Sequence, residues 1–293
     1  MEGRRLLLCL VTWMQVLVGT VVASGARPPA MYVFGSSLVD VGNNNYLPGA
    51  AVPRAHRPFY GIDFPGSIPT GRFCTGYNIA DYVALLPTCR WHPTPTCRSG
   101  VNYASAGAGI LDSTVNAGNT IPLSKEVEFF KATKAKMVAA VGAGAVDALL
   151  KKSVFVVNMG NNDFYVFAAA ERERNRSGKD QRRDAAALYT PTSARPVGEC
   201  SGLLNQLAAG FNGALGSLLA GLAPRLPGLV YSLADLYGFT RDVVADPGAS
   251  GFTDVAAACC GSGRLGGEAG CRPNSTLCTD RDGHVHWDLA HPS

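Results

Sequence analysis

The sequence predicts an α/β protein whose parallel sheet is covered by helices on both faces. Short apolar, β-branched runs alternate with stretches whose apolar residues recur at three and four, and no internal repeat interrupts them. The 293 residues are enough for one large domain. Hydrophobic residues make up 47 %, and the 34 Gly and 18 Pro together stay under the roughly 25–30 % that marks low complexity. Disorder, collagen and coiled coil are therefore excluded as the main reading. The net charge of +4 comes from scattered Arg, so no nucleic-acid footprint is indicated.

The elements follow in order. Residues 1–26 read as a cleavable secretory leader, and residues 27–293 as a single domain. Arg4 and Arg5 precede an apolar run over 6–22, and the small residues Ala23, Ser24, Gly25 and Ala26 follow. The alternative is an uncleaved anchor, but Thr12 and Gln15 interrupt a run already short for a bilayer of about 30 Å. No later segment is expected to cross a membrane. Residues 30–34 form a buried strand ending at Gly35, and 42–71, rich in Asn, Pro and Gly, form a long loop. Thr75 can cap a helix with Ile79, Val83 and Leu86 on its apolar face; 87–95 return to loop. Residues 101–103 and 153–159 read as strands and 123–141 as a helix. The charge run over 171–184 reads as a solvated loop. Leu204, Leu207, Phe211, Leu215, Leu218 and Leu222 make the stripe of a helix stopped by Pro224, and 229–233 the next strand.

Cysteine usage agrees with export. Beyond Cys9 of the leader there are Cys74, Cys89, Cys97, Cys200, Cys259, Cys260, Cys271 and Cys278, an even number whose connectivity the sequence leaves open. No CxxC pair suggests zinc. Asn175 and Asn274 open sequons for N-glycans.

Four segments carry candidate chemistry. At the end of the first strand, Gly35 permits a tight turn that lets a following serine stand clear of the sheet. Val39 occupies the second glycine position of a G-x-S-x-G elbow, so that motif is absent. Near the C-terminus, Asp288 and His291 are three apart, which in one turn sets a carboxylate beside an imidazole. Gly107 can offer a backbone N–H, and Asn162 a side-chain N–H, to an oxyanion. Each has a plain alternative: a Gly-Ser turn, a helix-start Asp beside a surface His, and two ordinary turns. His284, His286 and Asp288 alternate and could share a strand face as metal ligands.

Residues 31–46 (MYVFGSSLVDVGNNNY), 100–111 (GVNYASAGAGIL), 160–163 (GNND) and 287–292 (WDLAHP) resemble, in order and spacing, the blocks of plant GDSL-type esterases/lipases of the SGNH hydrolase superfamily. Further similarity covers 60–65 (YGIDFP), 69–73 (PTGRF) and 258–261 (ACCG), so the likeness runs through nearly all of the mature chain. It implies a three-layer α/β/α, flavodoxin-like fold. It also implies Ser37 as nucleophile, His291 as general base and Asp288 as its orienter. The Ser37 N–H, the Gly107 N–H and the Asn162 amide form the implied oxyanion hole. The implied reaction is two-step hydrolysis of an ester through an acyl-enzyme, with no metal or cofactor. The expected partner is a small-molecule or polymer-linked ester, not nucleic acid and not a membrane. A secreted glycoprotein that kept the fold and lost the chemistry is the alternative.

The chain departs from the family in three places. Ser36 stands where the family has Asp. The family strand and Gly-Cys-x-Pro block expected before Cys200 are missing, so the sheet is expected to have four strands, with 229–233 pairing directly with 153–159, and Cys200 to lack its family partner. The chain stops two residues after His291, so the base is expected on a fraying end.

Overall fold

A computed structural model describes residues 14–19, 28–85, 100–115, 119–176, 202–226, 228–267 and 269–293. Five strands form the main sheet: β1 (Met14–Gly19), β2 (Met31–Gly35), β3 (Gly100–Asn102), β4 (Val154–Asn158) and β5 (Tyr231–Asp235). Their order is β3-β2-β4-β1-β5. Six helices accompany them: α1 (Ile79–Leu85), α2 (Leu123–Val141), α3 (Ala143–Leu150), α4 (Asn161–Arg176), α5 (Gly202–Leu222) and α6 (Leu236–Ala245).

Alternation along the buried strands builds the layers. Met31 and Val33 of β2 join Val154 and Val156 of β4 in a core closed by Ala80 and Ala84 of α1 and Leu236 of α6. Tyr32, Phe34, Phe155 and Val157 point the other way, onto Leu123 and Phe130 of α2 and Leu150 of α3. Successive side chains of a strand face opposite sides, so the fully buried β2 and the partly buried β4 present both faces to helices. The ring of Phe130 stands edge-on to Tyr32 at 5.4 Å and to Phe34 at 5.8 Å. This is the three-layer arrangement the sequence predicts.

The strand count is not four. β2 pairs in parallel with β3 and β4, but β5 does not pair with β4. β1, from the apolar run of the N-terminal segment, lies antiparallel between them, with Gln15 opposite Asn158 and Met14 opposite Asp235. β4 and β5 therefore run the same way, one strand apart. An interior strand must have its N–H and C=O groups paired. An apolar six-residue strand meets that demand on both sides, so direct closure of β5 onto β4 does not occur. Residues 188–197, the other source of a strand, lie outside the described residues.

Three local expectations change. The α1 cap is Asn78, not Thr75: the Asp81 N–H donates to Asn78 Oδ1 at 3.2 Å and the Asn78 N–H to Asp81 Oδ2 at 2.9 Å. That reciprocal pair satisfies two first-turn donors at once. The charge run from residue 171 begins inside α4, while Leu86, the 87–95 loop and the rest of the run lie outside the described residues. The stretch Asn205–Arg225, mostly α5, is long and apolar enough to cross a membrane, contrary to the sequence expectation. Here it bridges β4 to β5, burying Ala208 and Leu219 and setting Phe211 edge-on to Phe164 of α4 at 5.6 Å.

Removing residues 1–26 should expose facing ladders on β4 and β5. Hydrogen exchange of the 154–158 and 231–235 amides is expected to be faster in a chain starting at residue 27 than in one retaining 14–19. Unchanged protection would show that β5 moves over by the strand spacing of about 4.8 Å and pairs with β4.

Candidate active site

The site sits where β2 ends, at the carboxyl edge of the parallel strands. The Ser36 N–H donates to the Asn158 carbonyl of β4 at 3.1 Å. The Val39 and Asp40 N–H groups then close a turn on the Ser36 carbonyl. Gly35 is required at this approach. A Cβ there would stand 2.4 Å from Val39 Cγ2 and 2.6 Å from the Asn158 carbonyl oxygen. Ser37 is buried and opens onto a cavity of about 60 Å3 walled by Leu38, Phe73, Tyr77, Ile79 and Tyr82.

Asp288 and His291 form the pair that their spacing predicts. His291 Nδ1 lies 2.8 Å from Asp288 Oδ1 and 3.0 Å from Oδ2. Oδ1 also accepts the Ala290 and His291 N–H groups, at 2.8 and 2.9 Å. Oδ2 accepts the Tyr60 hydroxyl at 2.6 Å. Burial alone raises the Asp288 pKa. The His291 charge and the hydrogen bonds from His291, Tyr60 and Ala290 together outweigh it, and the carboxyl is held below its usual range. Burial, then the Asp288 charge, pushes the Tyr60 hydroxyl up, so it stays a donor.

Backbone hydrogen bonds tie the residues around His291 to the fold. Ser293 N–H donates to the Val285 carbonyl at 3.0 Å and Trp287 N–H to the His291 carbonyl at 2.9 Å. The His291 ring rests on Phe73, centroids 4.8 Å apart, and Pro292 and Ser293 reach the same cavity as Ser37. Behind this turn, β6 (Asp254–Ala258) and β7 (Cys260–Gly261) meet β8 (Thr276–Leu277) and β9 (His284–His286) in two small sheets. The disulfides Cys259–Cys278 and Cys260–Cys271 fix that corner against Trp287, Tyr60 and Phe73. Cys74 is buried and unpaired; Cys89, Cys97 and Cys200 lie outside the described residues.

The expected oxyanion donors stand around the turn. Among the described residues, neither the Ser37 N–H nor the Gly107 N–H donates to a backbone carbonyl. Gly107 takes φ +89° at the end of a segment stitched beside β2 by Tyr103 N–H to Val33 O and Ser105 N–H to Gly35 O. Asn162 gives one amide hydrogen to the Ala108 carbonyl at 2.7 Å, and the other has no acceptor among the described residues. Its neighbour Asn161 accepts the Ser36 hydroxyl at 3.0 Å, so Ser36 is turned away to an amide. Ser37 Oγ makes no hydrogen bond to the His291 ring among the described residues. Asn274 lies exposed on a turn, and Asn175 in the last turn of α4.

Sequence reasoning gave Tyr60 no role. The one available signal was its place in the YGIDFP similarity, because its partner is 228 residues away. The alternating His284, His286 and Asp288 separate in function. His284 faces Asp254 at 3.7 Å, Asp288 belongs to His291, and no group of three such side chains gathers for a metal among the described residues.

The family model described as GDSL-like Lipase/Acylhydrolase matches residues 31–293. Three proteins of Arabidopsis thaliana are similar along most of their length. GDSL esterase/lipase At5g55050 is 33 % identical, covering 92 % of this chain and 83 % of that protein. GDSL esterase/lipase LTL1 is 34 % identical, covering 94 % and 86 %. GDSL esterase/lipase At4g28780 is 32 % identical over 331 aligned positions, covering 97 % and 90 %. Those 331 positions exceed the 293 residues here, so that relative carries residues without counterpart in this chain.

His286 is 1 % exposed, and neither ring nitrogen makes a hydrogen bond of normal geometry among the described residues. Burial lowers its pKa to about 4, against the opposing charges of Asp254 and Asp288. The folded state thus holds the neutral ring while the unfolded chain binds a proton from about pH 6.5 downward. Stability is full above that pH and is lost as pH falls towards 4, by about 2 kcal/mol between pH 7 and 5. His286→Phe should flatten this acid limb, read as the change in Tm from pH 7 to 5.

Proposed function

The chain belongs to the GDSL-like lipase/acylhydrolase family, a carboxylic ester hydrolase of GDSL type, and from that premise we propose that Ser37, His291 and Asp288 carry its chemistry. The observation behind this reading is the buried Asp288–His291 pair, whose base shares Phe73 as a wall with the cavity holding Ser37.

Asp288 occupies Nδ1, which leaves Nε2 as the nitrogen that takes the Ser37 proton when Oγ attacks the ester carbonyl. The carbonyl oxygen gains charge as the tetrahedral intermediate forms. The Ser37 N–H, the Gly107 N–H and the spare Asn162 hydrogen receive that charge; losing one such donor costs roughly 10²–10³ in rate. His291 then gives its proton to the leaving alcohol. In the second half it takes a proton from water, which attacks the acyl-enzyme, and returns it to Ser37. Tyr60 holds Asp288 and so the plane of the imidazole.

The substrate is an ester with a short acyl group. A water needs about 10–15 Å3 of such space, so a cavity of about 60 Å3 admits a few heavy atoms. Tyr77 and Tyr82 stand exposed at its mouth, suited to the flat or apolar part of an alcohol.

Ser37→Ala should abolish both hydrolysis of p-nitrophenyl acetate and labelling by a fluorophosphonate, whereas Ser36→Ala should keep both. The reverse pattern assigns Ser36 as nucleophile. A folded wild-type protein that neither labels nor hydrolyses is the non-catalytic glycoprotein.

Residues 1–26 serve as a secretory leader in this reading, with residues 27–293 one exported domain and Asn175 and Asn274 glycosylated. The two disulfides and the exposed Asn274 support it. The mature protein then works without a membrane anchor and without nucleic acid. N-terminal sequencing of secreted material should start within a few residues of Ala26; intact Met1 rejects the leader and keeps β1 in the mature sheet.

A further inference from the structure

Glu126 lies in the first turn of α2, is 0 % exposed, and has no place in the reaction above. Its Oε2 accepts the Gly35 N–H at 2.9 Å, across 91 residues of chain. β3 ends at Asn102, paired with Val33, so that strand supplies no acceptor for the Gly35 N–H. A side chain from the helix layer takes that ladder position, two residues before Ser37. We propose that Glu126 is a positioning residue for the nucleophile turn: by taking the Gly35 N–H it fixes the peptide planes from which the Ser37 hydroxyl and N–H project. This rests on Ser37 being the nucleophile.

Three neighbours hold the turn, each from a different element. β4 supplies the Asn158 carbonyl to Ser36 N–H, the segment after β3 sends Ser105 N–H to the Gly35 carbonyl, and α2 supplies Glu126. With the Glu126 contact gone, the Gly35 N–H is a buried donor without an acceptor, and the peptide rotates to find one. A shift of about 1 Å at a nucleophile costs about 10² in rate.

The contact is made by a neutral carboxylic acid. Oε1 makes no hydrogen bond of normal geometry. The charged group facing Glu126 is Asp40, from the turn after Ser37; no basic side chain faces it among the described residues. Burial, with the Asp40 charge added, raises its pKa to about 9 against the pull of the Gly35 and Ser105 N–H groups. Ionisation would set an anion behind the donors that receive the developing oxyanion. The acid therefore holds the turn without opposing the charge that the site stabilises.

The test compares wild type with Glu126→Met, which keeps the length and removes the acceptor, and Glu126→Gln, which keeps the neutral acceptor. On p-nitrophenyl acetate at pH 7, kcat in Glu126→Met should fall about 10- to 100-fold with KM within about twofold, and Glu126→Gln should restore most of it. Above pH 9 wild-type kcat should decline about tenfold per pH unit, a limb missing from Glu126→Gln. A second readout needs no activity. A raised folded pKa contributes stability that is full below about 4.5 and lost as pH rises to about 9, so the Tm of Glu126→Gln should gain on wild type between pH 5 and 9. Wild-type kcat in Glu126→Met, a shared alkaline limb, or a pH-independent Tm difference each overturns the proposal. A wild type inactive on every ester, with the Tm gain present, overturns the esterase reading and keeps the neutral contact.

Discussion

The proposed catalytic edge depends on one buried acid, Asp40. Its Oδ1 accepts the Gly42 and Asn43 N–H groups, both at 2.7 Å, and its Oδ2 accepts the Ala106 N–H at 2.9 Å. The first two bonds bend the chain sharply away after the Ser37 turn. The third ties that turn to the segment that presents Gly107. Leaving a buried donor without its acceptor costs about 1–3 kcal/mol, and three depend on this one side chain. Around it, Asn43 Nδ2 donates to the Asn102 and Ala104 carbonyls, Asn44 Nδ2 to those of Pro53 and Ala106, and Asn102 Nδ2 to that of Val39. The Ser37 turn and the segment that carries Gly107 thus belong to one hydrogen-bonded body, although they lie about 70 residues apart in the chain.

The sheet shows the same demand on a larger scale. β4 carries the Asn158 carbonyl that accepts the Ser36 N–H, and in the chain that retains residues 14–19 its far side is paired as well. β1 does this in antiparallel sense, and through it β5 and α6 are brought back to the core that buries Leu38 and Val39. The interior ladder is indifferent to where its strand comes from or which way it runs. It requires an apolar run of five or six residues within reach, and the N-terminal segment has one.

Local patterns account for what the sequence disclosed. β2, β4, α2 and α5 were legible from short apolar, β-branched runs and from spacing by three and four, to within one or two residues. Asp288 and His291 were legible because three residues of separation force the contact. Tyr60, Glu126 and the buried Arg72–Asp81 pair left no such trace. The first two meet their partners across 228 and 91 residues, and a lone Tyr or Glu in an amphipathic stretch reads as surface. Asn78 was passed over for Thr75 because the deciding signal is Asp81, three residues on, and not the cap residue itself. β1 was hidden for a different reason. An apolar run flanked by Arg and small residues satisfies the needs of a leader and of a buried strand equally, so composition alone cannot separate them.

Three buried acids around the site show how the same burial leads to different charge states. Asp288 accepts from His291 Nδ1, the His291 and Ala290 N–H groups and the Tyr60 hydroxyl, and its pKa falls. Asp40 accepts from backbone N–H groups alone, with no cation or hydroxyl, and burial wins by raising it. Glu126 accepts one N–H of normal geometry and faces another acid, and it is raised to about 9. Desolvation opposes the anion at each of the three, so the surrounding charges and donors decide which way each is moved. Asp288 lies beside His291, the proposed base, where a fixed negative charge would stabilise the imidazolium. Glu126 lies behind the Ser37 turn, where in the proposed reaction a negative charge would oppose the oxyanion. Asp288 has the charge and the hydrogen bond of a histidine and the hydroxyl of a tyrosine, whereas Glu126 has backbone N–H groups alone and the Asp40 charge beside it.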